Sequence, residues 1–149
     1  MATRFPLQSL LDHARHRMEA AERLLRILKR KEDEARRRQD ELNGYKQEYQ
    51  RRLTGQAGER GIDIHLLRDY HAFLHKLDVA ISHQEREVAQ ALAHWRGAHD
   101  NWLELRQKVK AYEALDVRHH DQERRREEKR DQRLPDEQEA RRHVPKASL

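Results

Sequence analysis

Eleven histidines are spread along the chain, and imidazole is the side chain best suited to holding a transition metal or moving a proton near neutral pH. His71 and His75 stand four apart, a helical spacing that can hold zinc when a carboxylate or a third imidazole joins them. Asp69 and Asp78 are near in sequence but do not complete an enclosed set. His13/His16, His94/His99 and His119/His120 are weaker pairs of the same kind. The absence of cysteine excludes both a disulfide framework and a thiolate zinc site. No glycine-rich phosphate loop follows a strand pattern, and no Ser–His–Asp arrangement or nucleophile elbow is present. The residues able to do chemistry therefore have to be judged by the elements that carry them.

Those elements are two runs of heptads. Leu7, Leu11, Ala14, Met18, Ala21, Leu25, Leu28, Glu32, Ala35, Gln39, Leu42, Lys46, Tyr49 and Leu53 follow alternating steps of four and three. All but Glu32, Gln39 and Lys46 are apolar. A second run passes through Leu67, Tyr70, Leu74, Leu77, Ile81, Gln84, Val88, Ala91, Trp95, Ala98, Trp102, Leu105, Val109 and Tyr112, with Gln84 as its one polar member. Sustained seven-residue repeats of this kind predict a coiled coil. Each run predicts a helix roughly 70 Å long at 1.5 Å per residue. Thr54 to Gly61 holds three of the five glycines and reads as the turn. Asp63 suits an N-cap, with Ile62 and Leu67 at the spacing of a hydrophobic staple, and Pro6 suits the start of the first helix.

The predicted fold is all-α: a long antiparallel two-helix coiled coil, or α-hairpin, with a charged C-terminal helical extension. Residues 1–117 form the hairpin, with helices over 7–53 and 63–117 and a turn over 54–62. Residues 118–134 form the extension, which Pro135 is expected to break after Leu134, and 135–149 form a flexible tail. Residues whose numbers sum to about 120 then face each other, as a short connection between long helices demands. Trp102 falls beside Met18 and Trp95 beside Leu25. The polar seam residues Glu32, Gln39, Lys46 and Gln84 are expected to fix register. His71 and His75 fall on solvent-facing positions, so no metal, cofactor or catalytic residue is assigned. A two-helix hairpin has no interior in which to shift a pKa for catalysis, and the chain reads as no enzyme.

Apolar residues outside the seam carry more information. Tyr45 and Phe73 flank it, and antiparallel pairing puts them on one side near the turn. Leu42, Tyr49, Leu77 and Ala80 adjoin them, which makes a candidate partner-binding patch. Away from the turn, Leu10, Leu24 and Ile27 lie amid Arg4, Arg15, Arg17, Arg23 and Arg26. Of these, Arg15, Arg17, Arg23 and Leu24 form a second candidate surface, suited to an acidic partner.

Composition agrees with a binding role. The chain of 149 residues is 40% charged and 5% aromatic, and its mean hydropathy is −1.25, so the core is thin. Its 32 basic and 27 acidic residues leave a net charge of +5, which raises RNA or a ribosome as partners. Both signs are interleaved, however, and a solvated helix surface accounts for them without nucleic acid. A basic adaptor for RNA and a self-associating scaffold stay as alternatives. No apolar run approaches the roughly 18 residues of a membrane span, and the start lacks a signal-peptide pattern, so an intracellular location is expected.

Phe5-Pro-Leu-Gln-Ser-Leu-Leu11, Leu42-Asn-Gly-Tyr-Lys-Gln-Glu-Tyr49 and Asp69-Tyr-His-Ala-Phe-Leu-His-Lys-Leu-Asp-Val-Ala-Ile81 resemble the flagellar export protein FliJ family. Trp102, Lys108-Val-Lys-Ala-Tyr-Glu-Ala-Leu115, Arg118 and the late Asp136-Glu137 with Ala140-Arg141 are similar to it as well. The resemblance covers nearly the whole chain and rests on the order and spacing of degenerate motifs. It implies a non-enzymatic coiled-coil stalk of the bacterial flagellar type III export apparatus. Such a stalk promotes assembly of the export ATPase ring and links it to the cytoplasmic domain of the membrane export gate and to export chaperones. It implies a cytoplasmic protein, peripheral at the cell membrane through its partners. The gate-contacting face falls on Leu42, Tyr45, Tyr49, Phe73, Leu77 and Ala80, and the stalk analogy puts the terminal end in the ATPase ring. Pro135 departs from a tail that the family keeps helical.

Overall fold

The computed structural model describes residues 4–60 and 63–142, with side chains described over 4–56 and 63–134. Two helices account for nearly all of them: α1, Gln8–Arg60, and α2, Ile64–Arg142. No strand occurs among the described residues. The helices pack against each other in opposite directions, giving the all-α hairpin that the heptads predict.

The α1 seam follows from its sequence. Every position of the first heptad run, from Leu7 to Leu53, is buried or half-buried, while most of the positions between are exposed. The second run behaves alike from Tyr70 to Tyr112; Leu67, expected in the seam, is 38% exposed. Leu67 sits in the first turn of α2. The helix starts are also local matters. The Gln8 amide donates to the Phe5 carbonyl at 3.1 Å across Pro6, which opens α1. At α2 the Leu67 amide donates to the Asp63 carbonyl at 3.0 Å, so Asp63 occupies the N-cap position. Ile62, the other half of the expected staple, lies outside the described residues.

Both helices run further than the sequence pattern predicts. Helix α1 does not end at Leu53: it continues through Gly55 to Arg60, so the expected turn over 54–62 is shorter at its start. One glycine costs a helix only about 1 kcal/mol, and Thr54 keeps the helical pattern by donating its hydroxyl to the Gln50 carbonyl at 2.9 Å. Helix α2 does not break at Pro135 but continues to Arg142. Proline removes one backbone donor and crowds the preceding turn. Strong helix formers on both sides, from Arg133 to Arg142, outweigh it, and exposed carbonyls of the preceding turn can turn to water.

The chain divides into two compact units. The terminal unit comprises Met1–Glu19 and Leu103–Leu149. Its core is Phe5, Leu11, Ala14 and Val109, with Leu7, Met18 and Tyr112 packed against them. Here α2 continues the seam past Leu115, where the apolar repeat ends. Asp116 and His119 are half-buried and Glu123 is buried at the same three–four spacing. The Phe5 ring covers His119, with centroids 5.7 Å apart. Glu123 accepts a hydrogen bond from Arg126 at 3.1 Å, and Asp121 pairs with Arg124.

The central unit, Ala20–Trp102, buries Ala21, Leu77 and Ile81, and with them the polar Glu32 and Gln84. Its contacts follow the predicted register within about a turn. Gln84 donates to the Ala35 carbonyl at 2.8 Å, and Lys46 donates to Asp78 at 2.5 Å. Trp102 donates its indole N–H to Glu22 at 3.2 Å, and Lys29 Nζ lies 5.8 Å from the Trp95 ring centroid, so the tryptophans sit one turn beyond the α1 residues expected beside them. His99 lies between the two indoles, stacked on Trp95 at 5.0 Å and tilted to Trp102 at 5.8 Å.

Candidate functional site

The aromatic cluster of the central unit is built by the last heptads of α1 and the first of α2. Tyr49 occupies the α1 seam, and the antiparallel pairing brings Tyr70 and Phe73 to it. Ring centroids are 4.8 Å apart for Tyr49 and Tyr70, and 4.5 Å for Tyr49 and Phe73. Both pairs are tilted, a favourable arrangement for ring quadrupoles. Burial raises the Tyr49 phenol above its ordinary pKa, and Tyr70 and Asp69 add to the shift, so its hydroxyl stays protonated. Tyr70 donates its own hydroxyl to Gln56 at 2.8 Å. The Lys46–Asp78 ion pair ties the two helices beside the cluster.

The six residues expected to form the patch divide by exposure. Leu77 is buried, and Leu42, Tyr49 and Ala80 are half-buried. Phe73 stays 37% exposed although it touches Tyr49, and Tyr45 is 66% exposed. Tyr45 stands one helical turn before Tyr49 and makes no ring contact among the described residues. Tyr70, a seam residue outside the expected patch, joins the cluster; its signal is the pairing with Tyr49 that the register predicts. An exposed phenol and a half-covered phenyl ring are the residue types that anchor protein interfaces.

The second set lies on α1. Arg15 and Arg17 belong to the terminal unit, Arg23 and Leu24 to the central unit. Arg15 lies 3.4 Å from Glu113; Arg17 and Arg23 are exposed, as is Leu24. His71 and His75 are both exposed on α2, and no group of three or more His, Asp or Glu among the described residues is placed to hold a metal. No helix among them is long and apolar enough to cross a membrane.

The most perturbed acid sits in the seam of the central unit. Glu32 is 1% exposed. Its Oε2 accepts from Lys29 Nζ at 2.8 Å and its Oε1 lies 2.6 Å from Arg36 Nε. The Lys29 hydrogen bond lowers the Glu32 pKa, burial opposes it, and Arg36 adds to the lowering. Lys29 is raised in turn, chiefly by the hydrogen bond to Glu32. This is a neutralised, structural set.

No curated relative and no solved structure matches the chain. The family model described as the flagellar FliJ protein matches residues 3–148. With two helices packed as a hairpin and a match over nearly its whole length, this chain belongs to the flagellar FliJ protein family.

Proposed function

We propose that this protein is the non-enzymatic coiled-coil stalk component of the flagellar type III export apparatus, coupling the export ATPase ring to the membrane export gate. The family places it in flagellar export. The observation that supports a gate contact is the exposed pair Tyr45 and Phe73 with Leu42, Tyr49, Leu77 and Ala80. A two-helix element cannot cover such rings by itself, and a partner that covers them gains apolar burial with little ordering cost. In this reading the cytoplasmic domain of the export gate seats on the aromatic patch. Arg15, Arg17, Arg23 and Leu24 serve the ATPase ring and promote its assembly, export chaperones bind as further partners, and the protein works at the cytoplasmic face of the membrane.

The test is a pull-down with the cytoplasmic domain of the gate. A Tyr45→Ala/Phe73→Ala variant should lose the gate while its helical circular-dichroism signal is kept, since neither side chain is buried. Gate binding at wild-type strength would remove the patch from the proposal.

A further inference from the structure

The central unit carries a second surface, away from the aromatic cluster. A groove of about 610 Å³ runs along the seam between Leu28, Ala35 and Ala91, which form its floor. Ala35 and Ala91 offer only methyl groups there, and Gln84 is turned aside to the Ala35 carbonyl. Lys31 and Arg38 rise along the α1 wall, and His83, Glu87 and His94 along the α2 wall.

The two flanks of α1 differ in how their charges are used. Lys29 and Arg36 are taken up by Glu32, and Lys29 also by Asp33 at 3.5 Å. Lys31 and Arg38 repeat that spacing on the groove side and, among the described residues, have no ion-pair partner. Arg30 and Arg37, one residue earlier in each case, are exposed and equally without one. Arg30 and Arg37 lie outside the lining; within it Lys31 and Arg38 stand with Glu34 and Glu87, and Glu87 already faces His83 at 3.7 Å.

We infer that this groove receives an acidic amphipathic α-helix of a partner protein, packed as a third strand on the hairpin. Large apolar side chains of that helix fill the space over Ala35 and Ala91, and its acidic flank pairs with Lys31 and Arg38. The repeat of the cations decides for a helix. Seven residues of α1 advance about 10.5 Å, which a partner heptad matches in step. Nucleic acid instead presents a phosphate about every 3.4 Å along each strand, and an apolar floor gives it no contact. No phenyl, phenol or indole lines this groove for a base to stack upon, only the imidazoles of His83 and His94.

The test uses the full chain and three labelled synthetic peptides of about four heptads, the order of length over which isolated heptad helices become stable. One carries leucine at core positions and glutamate on the flanks. In the second, lysine replaces the glutamates; in the third, serine replaces the leucines. Fluorescence anisotropy should show binding of the first alone, weakened about tenfold or more by Lys31→Glu/Arg38→Glu. Charge reversal at the exposed Lys108 and Lys110 of the terminal unit should leave it unchanged. Equal binding of the serine peptide would reduce the site to unspecific charge attraction and overturn the inference. So would equal losses in both reversed variants, or binding of a single-stranded RNA oligonucleotide in preference to the leucine–glutamate peptide. Because all four substituted side chains are exposed, unchanged circular dichroism keeps a loss of binding from being read as unfolding.

Discussion

Glu32 shows how one seam residue can be polar without weakening the case for the seam. Its carboxylate is covered but held by two cations, so leaving it unpaired is what would cost stability. Its pKa is lowered in the folded chain. The stabilisation is therefore present above the ordinary glutamate value and lost as pH falls through the lowered one. Glu32→Gln should lower thermal stability at neutral pH, where the ionised carboxylate is held, and the difference from wild type should shrink as pH falls, flattening the acid limb. An acid limb identical to wild type would show that Glu32 does not set it. Lys29 acts in the opposite sense: its raised value keeps its contribution until pH climbs into the alkaline range. Leu11 gives the apolar counterpart. It is fully buried in the terminal core, and Leu11→Ala should cost about 2–5 kcal/mol in urea unfolding. Leu24→Ala, at an exposed position, should stay within about 0.5 kcal/mol of wild type.

At the scale of the helices, periodicity was legible because burial in a two-helix seam depends on little else. Fourteen positions chosen by stepping along α1 are all shielded, Glu32, Gln39 and Lys46 among them. The helix starts at Pro6 and Asp63 were legible from their punctuation, but the C-terminal ends were not. A glycine or a proline is a local cost of about 1 or 3 kcal/mol, and its neighbours can outvote it, as they do at Gly55 and Pro135. The same holds past Leu115. There the chain exchanges leucine for Asp116, His119 and Glu123, yet α2 keeps presenting those positions inward. Gly97 lies within α2, and a methyl group added to it would meet nothing within 4 Å. Gly97→Ala should therefore raise stability by about 0.5–1 kcal/mol, read as a higher urea midpoint. A lower midpoint would mean that the open space beside Gly97 is needed.

For the whole molecule, family membership and the aromatic patch come from separate observations. The family match spans residues 3–148, whereas the exposure of Tyr45 and Phe73 follows from where the register leaves them. The patch could be read from residue numbers because Tyr45 and Phe73 fall outside both stripes. The groove over Ala35 and Ala91 could not. Alanine counts as an ordinary seam residue until its opposite neighbour is known to be small as well, and the freedom of Lys31 emerges only once Lys29 and Arg36 are seen to be occupied. Both tryptophans of the chain, Trp95 and Trp102, lie in the central unit. Indole emission consequently surveys one unit and is blind to the other, whereas ellipticity at 222 nm sums over every helical turn. Urea melts followed by both signals should superimpose if the chain unfolds as one cooperative body. Two displaced curves would instead measure the terminal unit by difference, so the protein brings its own pair of probes for dissecting where cooperativity ends.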